Sequence, residues 1–289
     1  MQAWPQRPGS HGVTGTAAPR GFALLIVLFA LALMALLVGA VGAIGRGEAQ
    51  LAGNLRAAAV AEAAADGAIE QAAFHVLDSA AGHWWADGAV HRFTLDGGGA
   101  AAVRIDTEAG KVNPNRASPA LLAALMQAVG ADGLSASRIA ANILDWRAPD
   151  VQGTGSGQAS AYRQAGLDYV PPGAPFQSLD ELGLVLGMTP ALLARLRPHL
   201  TLYRDRDPDP LAADAVVAQA IAAVSGQTVT PGVSTDTGAV RITAAVTMPG
   251  GARFIRQAVV RIDPRGQGAR PFQVMTWVAL PADDAAALR

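Results

Sequence analysis

The sequence predicts an α+β fold: a long amino-terminal transmembrane helix, an antiparallel sheet, and a large all-helical insertion within the sheet domain. Three observations lead there. Residues 22–44, FALLIVLFALALMALLVGAVGAI, run without a charge. Stretches on either side of the middle of the chain, 83–106 and 239–280, carry strand signals. Between them, residues 110–204 break into short apolar segments punctuated by Pro, Gly and Ser, the texture of small helices.

The uncharged run of 23 residues would measure roughly 34 Å as a helix, enough for a hydrocarbon core of about 30 Å. Arg7 and Arg20 precede it and no acid does, so the amino terminus is expected in the cytoplasm and the rest exported. A secretory signal has a shorter apolar core before its small-residue cleavage site, and a plain signal anchor is the other alternative. The junction Pro19-Arg20-Gly21-Phe22 offers a third reading. A basic residue, a glycine and an aromatic that opens the apolar run directly resemble the leader of a type IV prepilin, which is removed while the helix stays. Cleavage is then expected between Gly21 and Phe22, with Phe22 N-methylated.

From Arg46 to Ser79 there is no proline, and alanine dominates beside Glu48, Arg56, Glu62, Asp66 and Glu70. Leu51/Leu55 and Ile69/Ala73/Leu77 recur at helical spacing, so the helix is expected to continue well beyond the membrane. Gly39, Gly42, Gly45, Gly47 and Gly53 are expected to loosen its middle, and a flexible Ala/Gly linker is the alternative. Residues 83–106 then read as a hairpin-like strand pair around the glycines at 97–99.

Four helices are expected in the insertion, at 118–129, 135–146, 178–186 and 189–197. Ser118-Pro119 and Thr189-Pro190 place an N-cap before a first-turn proline, and Ser178 with Glu181 forms a capping-box pattern. RDRDPDP at 204–210 reads as a linker, followed by a short helix over 211–224. AVRITAAVTM (239–248) alternates, with Val240, Ile242, Ala244, Val246 and Met248 on one face; a turn at Pro249-Gly250-Gly251 leads to strands 253–262 and 272–280. The boundaries drawn are a leader at 1–21, a helix at 22–79, a sheet domain at 80–109 and 205–289, and a helical insertion at 110–204.

Composition and motifs exclude several kinds of chemistry. A net charge of −1 disfavours bulk nucleic-acid binding, and the absence of cysteine removes disulfides, thiolate metal sites and cysteine nucleophiles. His11, His75, His83, His91 and His199 are scattered without a metalloprotease pattern, and no catalytic residue is assigned. GTGSG at 153–157 lacks the Lys-Ser/Thr ending of a phosphate loop and reads as a solvent loop. Segments 113–132 and 176–200 are similar to helix–hairpin–helix units, which makes an exported DNA-binding protein the second reading. Eight Lys/Arg against six Asp/Glu across 111–204 is a weak field for DNA. Asp145 and Asp150 flank Trp146-Arg147-Ala148-Pro149 and enter a polar loop ending near Tyr162 and Asp168, which makes them candidate calcium ligands, although no EF-hand pattern is present.

Taken together, the Gly21-Phe22 junction, GKVNPNRASPALL (110–122), ILDWRAPD (143–150), YVPPGAPFQSLDELGLVLGMTPALLARLRPHLT (169–201) and the closing PFQVMTWVAL resemble the minor pseudopilin K family of type II secretion, the general secretion pathway protein K family. The resemblance implies a pilin-like fold and a non-enzymatic subunit in the inner membrane. Its carboxy-terminal domain would be periplasmic, at the tip of a short pseudopilus. The partners implied are minor pseudopilins I and J, the major pseudopilin and a prepilin peptidase, with no nucleic acid. The family's acidic cluster after its Asp-Trp motif is missing, since no acid lies between Asp150 and Asp168. Counted from Phe22, the fifth residue is Ile26 where most pilin-like proteins have Glu, and Ile26 is the expected determinant of a tip position.

Overall fold

The computed structural model describes residues 20–78, 82–148, 155–230, 232, 234, 238–262, 271–281 and 288. Contacts divide the chain into two compact units, one ending at Arg56 and one beginning at Ala57.

A single α-helix, α1, runs from Arg20 to Leu77 and crosses that division. Its glycines leave it continuous; Gly39, Gly47 and Gly53 sit in open space, so a glycine there costs backbone entropy and disturbs no packing. In the first unit, Phe22–Ala40 is a stretch of mean hydropathy 3.0 with none of it buried in protein, the one segment among the described residues long and apolar enough to cross a membrane.

In the second unit, Ala61, Ala65, Ala68, Ile69, Ala72, Ala73 and Val76 are buried on one stripe of α1. Small residues predominate there, so the helix lies close to the sheet. The sheet has five strands in the order β1 (Asp87–Thr94), β2 (Ala100–Thr107), β3 (Ala239–Thr247), β4 (Arg253–Ile262), β5 (Phe272–Leu280), every neighbouring pair antiparallel. The alternation read in the sequence sets the faces. Val103 and Ile105, Val240, Ile242, Ala244 and Val246, and Ala258, Val260 and Ile262 all join the α1 stripe in one core.

The helical insertion departs after β2 and returns before β3, two strands that nevertheless pair directly through eight residues from Ala100↔Thr247 to Thr107↔Val240. Its helices are α2 (Pro119–Ala128), α3 (Gly133–Arg147), α4 (Gly155–Gln164) and α5 (Pro190–Leu196), with a 3₁₀ turn at Leu179–Leu184. Ser118 and Thr189 cap α2 and α5 by accepting from backbone amides, as their positions predict, and Asp132 does the same for α3, which starts two residues earlier than expected. A parallel bridge, Val112↔Leu200, closes the insertion at its neck: the Val112 amide donates to the His199 carbonyl at 2.9 Å and the Thr201 amide to the Val112 carbonyl at 3.0 Å.

Three expectations are corrected. The segment expected as a helix over 178–186 is a short 3₁₀ helix of six residues, because Gly183 weakens it and Gly187, at φ +89°, turns the chain. The polar stretch after Pro149 is helical from Gly155 onward. Tyr162, 3 % exposed, anchors α4 in the core, and Arg163 and Gln164 tie back to Ala159 and Ser160 one turn earlier. Finally, α6 (Ala215–Ser225) contributes Val217, Ala218 and Ala220 to the core of the helical block, so that core reaches past residue 204.

Candidate functional site

The side chains that the sequence singled out fall in two places. Phe22 and Ile26 lie in the membrane-type stretch of α1, 65 % and 53 % exposed, and Gly21 is in its first turn. With no charged residue from Phe22 to Ala40, that surface presents only apolar side chains. Asp145 stands near the end of α3, half-buried; Asp150 lies outside the described residues. Among the described residues no group of three or more His, Asp or Glu is placed to hold a metal ion.

The motifs around Asp145 have another job. Trp146 is buried and stacks on Phe176, ring centres 5.9 Å apart and planes within 5°, with Tyr162 and Tyr169 at 6.3 and 6.4 Å. Burial pushes the Tyr162 phenol above its usual range, and its oxygen accepts from the Leu186 amide at 3.0 Å. Arg147 donates to the carbonyls of Pro114 and Ala117. Asn115 is held reciprocally by Phe176, each donating to the other at 2.9 and 2.8 Å, and Asn113 donates to the Arg204 carbonyl at 2.5 Å. Asn113, Asn115 and Arg147 thus satisfy the backbone of ingoing and outgoing loops. Sequence reasoning missed this role for Asn113, Asn115 and Arg147. Two asparagines flanking a proline were its one available sign, since Asn readily bonds nearby backbone.

The hairpin between α2 and α3 tests the DNA-binding reading. At such a hairpin a phosphate would approach the α3 amino terminus. There Asp132 already accepts from the Ser135 amide at 2.9 Å, and that bond, with the Ser135 side chain, holds its carboxyl below the usual range. The Val129 carbonyl is taken by Arg195 at 2.8 Å. The amino terminus of α3 is thus already capped by a carboxylate of its own chain.

A second constellation lies between α1 and the sheet. Arg256, on β4 and 6 % exposed, donates to Asp66 at 2.7 Å and Glu62 at 2.6 Å on α1. Its guanidinium lies 4.8 Å from the Phe254 ring centre and 5.6 Å from that of Trp277. Burial alone would lower its pKa, but the bonds to Asp66 and Glu62 reverse that and hold it above its ordinary value. This is a structural latch that fixes the register of α1 on the sheet.

A helix that opens with an apolar stretch of membrane-spanning length, a five-stranded antiparallel sheet that packs on the later part of that helix, and a helical insertion between adjacent strands define the class: a pilin-like fold with a membrane-type apolar segment. Residues 100–205 match the family Type II secretion system (T2SS), protein K. That match spans a little over a third of the chain, and the motifs at 110–122, 143–150 and 169–201 all fall within it. The fold is also that of a chain in the crystal structure of the GspK-GspI-GspJ complex from the enterotoxigenic Escherichia coli type 2 secretion system. That likeness has a TM-score of 0.53 and 16 % identity and covers 82 % of this chain and 99 % of that one. No curated protein matches the sequence.

Proposed function

We propose that this chain is a minor pseudopilin K that sits at the tip of the type II secretion pseudopilus, where it helps to initiate and cap the filament and performs no catalysis. Before assembly it stands in the inner membrane on the 22–44 segment, amino terminus in the cytoplasm and the remainder in the periplasm. A prepilin peptidase cuts between Gly21 and Phe22, and Phe22 is then N-methylated. Pseudopilins I and J are its neighbours, by analogy with the complex named above, and the major pseudopilin follows below.

Ile26 carries the tip assignment. A carboxylate in an apolar span costs up to about 3 kcal/mol on insertion scales, the value at the span's centre, so a pilin-type Glu persists where a cationic partner meets it. By family resemblance that partner is the amino-terminal ammonium of the subunit ahead. A subunit with nothing ahead would leave the charge uncompensated, and an isoleucine removes the cost. Introducing Ile26→Glu is expected to misplace the subunit at initiation and reduce secretion, while the neighbours' own glutamates stay essential. In vivo cross-linking that finds the chain distributed along the shaft, with equal neighbours above and below, refutes the tip position. Intact-mass analysis of the membrane-extracted protein checks processing; an uncut Met1 or a terminus at Gly45 contradicts it.

A further inference from the structure

The sheet face opposite α1 carries a grid of polar side chains. Val103 and Ile105 enter the core with α1, so Arg104 and Asp106 point away from it. Arg104 stands opposite Thr243 and Thr243 opposite Gln257, while Asp106 stands opposite Arg241 in the next row. The chain returning from the helical insertion roofs this grid at Pro198 and at 211–214, and a cleft of 730 Å³ lies between them. Trp85 and Leu211 also line it, 52 % and 49 % exposed.

The polar groups of the cleft are fixed by one another. Arg104 meets Asp106 at 2.9 Å, and Lys111 and Arg241 meet one oxygen of the buried Glu108 at 2.7 and 2.9 Å. The Gln257 amide donates to the Thr243 hydroxyl at 3.1 Å. Arg104, Lys111 and Arg241 are matched in number by Asp87, Asp106 and Asp214, so the lining has no net charge with which to draw a phosphate or carboxylate. An apolar molecule would strip water from the grid without replacing its hydrogen bonds. The strands of the floor spend their backbone groups on each other, so an extended peptide finds no free ladder there.

We propose that this cleft is a binding site for a neutral saccharide. A guanidinium paired with a carboxylate sets donors beside acceptors, and a sugar hydroxyl accepts from the one while it donates to the other. The C–H face of a sugar ring packs on the Trp85 indole, which the His83 ring orients edge to face at 4.3 Å. Trp84 is closed to such stacking, because His75 and His91 cover its two faces at 4.2 and 4.1 Å. The volume lies within the range of small-molecule sites, about 300–1,000 Å³.

Titration calorimetry of the full-length chain in a sugar-free detergent, dodecyldimethylamine oxide, tests this with chitotetraose and maltotetraose as neutral probes and trigalacturonate as the anionic one. Saturable binding of at least one neutral probe is expected, with none of trigalacturonate. Trp85→Ala is expected to lower the affinity about tenfold with an unchanged melt, and Trp85→Phe to keep most of it. Phe74→Ala, which removes an exposed aromatic on α1 outside the cleft, is expected to bind as the parent does. Binding of neither neutral probe overturns the saccharide class, and tighter binding of trigalacturonate overturns the charge argument behind it. Affinity unchanged by Trp85→Ala places any saccharide elsewhere and removes the cleft as its site.

Discussion

Gly110 stands where the chain leaves the sheet for the helical insertion, against the segment that returns. A Cβ placed there would lie 2.0 Å from the carbonyl oxygen of Ala212, 2.3 Å from its carbon and 2.7 Å from the Ala213 nitrogen. All three are backbone atoms, so no side chain can swing aside. Gly110→Ala must push the two segments apart by about 1 Å or more, which for overpacking costs roughly 1–3 kcal/mol. The adjacent bond from the Asp209 amide to the Ala109 carbonyl, 2.8 Å, is strained by the same shift, and its loss adds about 1 kcal/mol. The sum, about 2–4 kcal/mol, corresponds to a fall in melting temperature of roughly 5–15 °C for a unit of this size. Near-UV circular dichroism of the detergent-solubilised full chain reads it. Gly67→Ala is the matched control: its Cβ meets nothing within 4 Å on the exposed side of α1, so removing a helical glycine is expected to stabilise by about 0.5–1 kcal/mol. If Gly110→Ala melts within 1 °C or so of the parent, the close crossing of the two segments is wrong.

Arg256→Met is expected to cost about 1–3 kcal/mol by releasing Glu62 and Asp66 and removing the contacts with Phe254 and Trp277; a melt unchanged within error would deny the latch. Asp132 has a carboxyl held below its unfolded value of about 3.9, so its charge contributes stability above that pH and loses it as pH falls through the lower folded value. Melts of Asp132→Asn should therefore trail the parent at neutral pH and converge with it in acid, and a gap that persists below the folded value contradicts the assignment. Calcium at Asp145 with Asp150 is testable through linkage: a hundredfold excess over Kd stabilises by about 2.7 kcal/mol, so chelation should lower the melting temperature by roughly 5–10 °C. Identical melts in EDTA and in millimolar calcium remove the metal.

The strands at 239–247, 253–262 and 272–280 were legible because alternation has a period of two and the loops between them carry glycine or proline. Ser118, Ser178 and Thr189 marked their helix or turn starts because capping is local chemistry, complete within four residues. The anchor was legible for the same reason, being a matter of length and hydrocarbon alone. What the tertiary structure decided is everything that depends on partners far along the chain. Asn115 and Phe176 are 61 residues apart, and Arg256 and Glu62 are 194 apart. No local pattern distinguishes an asparagine that holds a distant loop from one that caps a turn, or an arginine buried on a sheet from one in solvent. Tyr162 turned a Gly/Ser-rich stretch into α4 through its burial against Trp146, an energy absent from local propensity. The same holds for β5: its lack of charge can be read in the sequence, but its place at the edge is set by strand order, which depends on pairings made across the whole sheet.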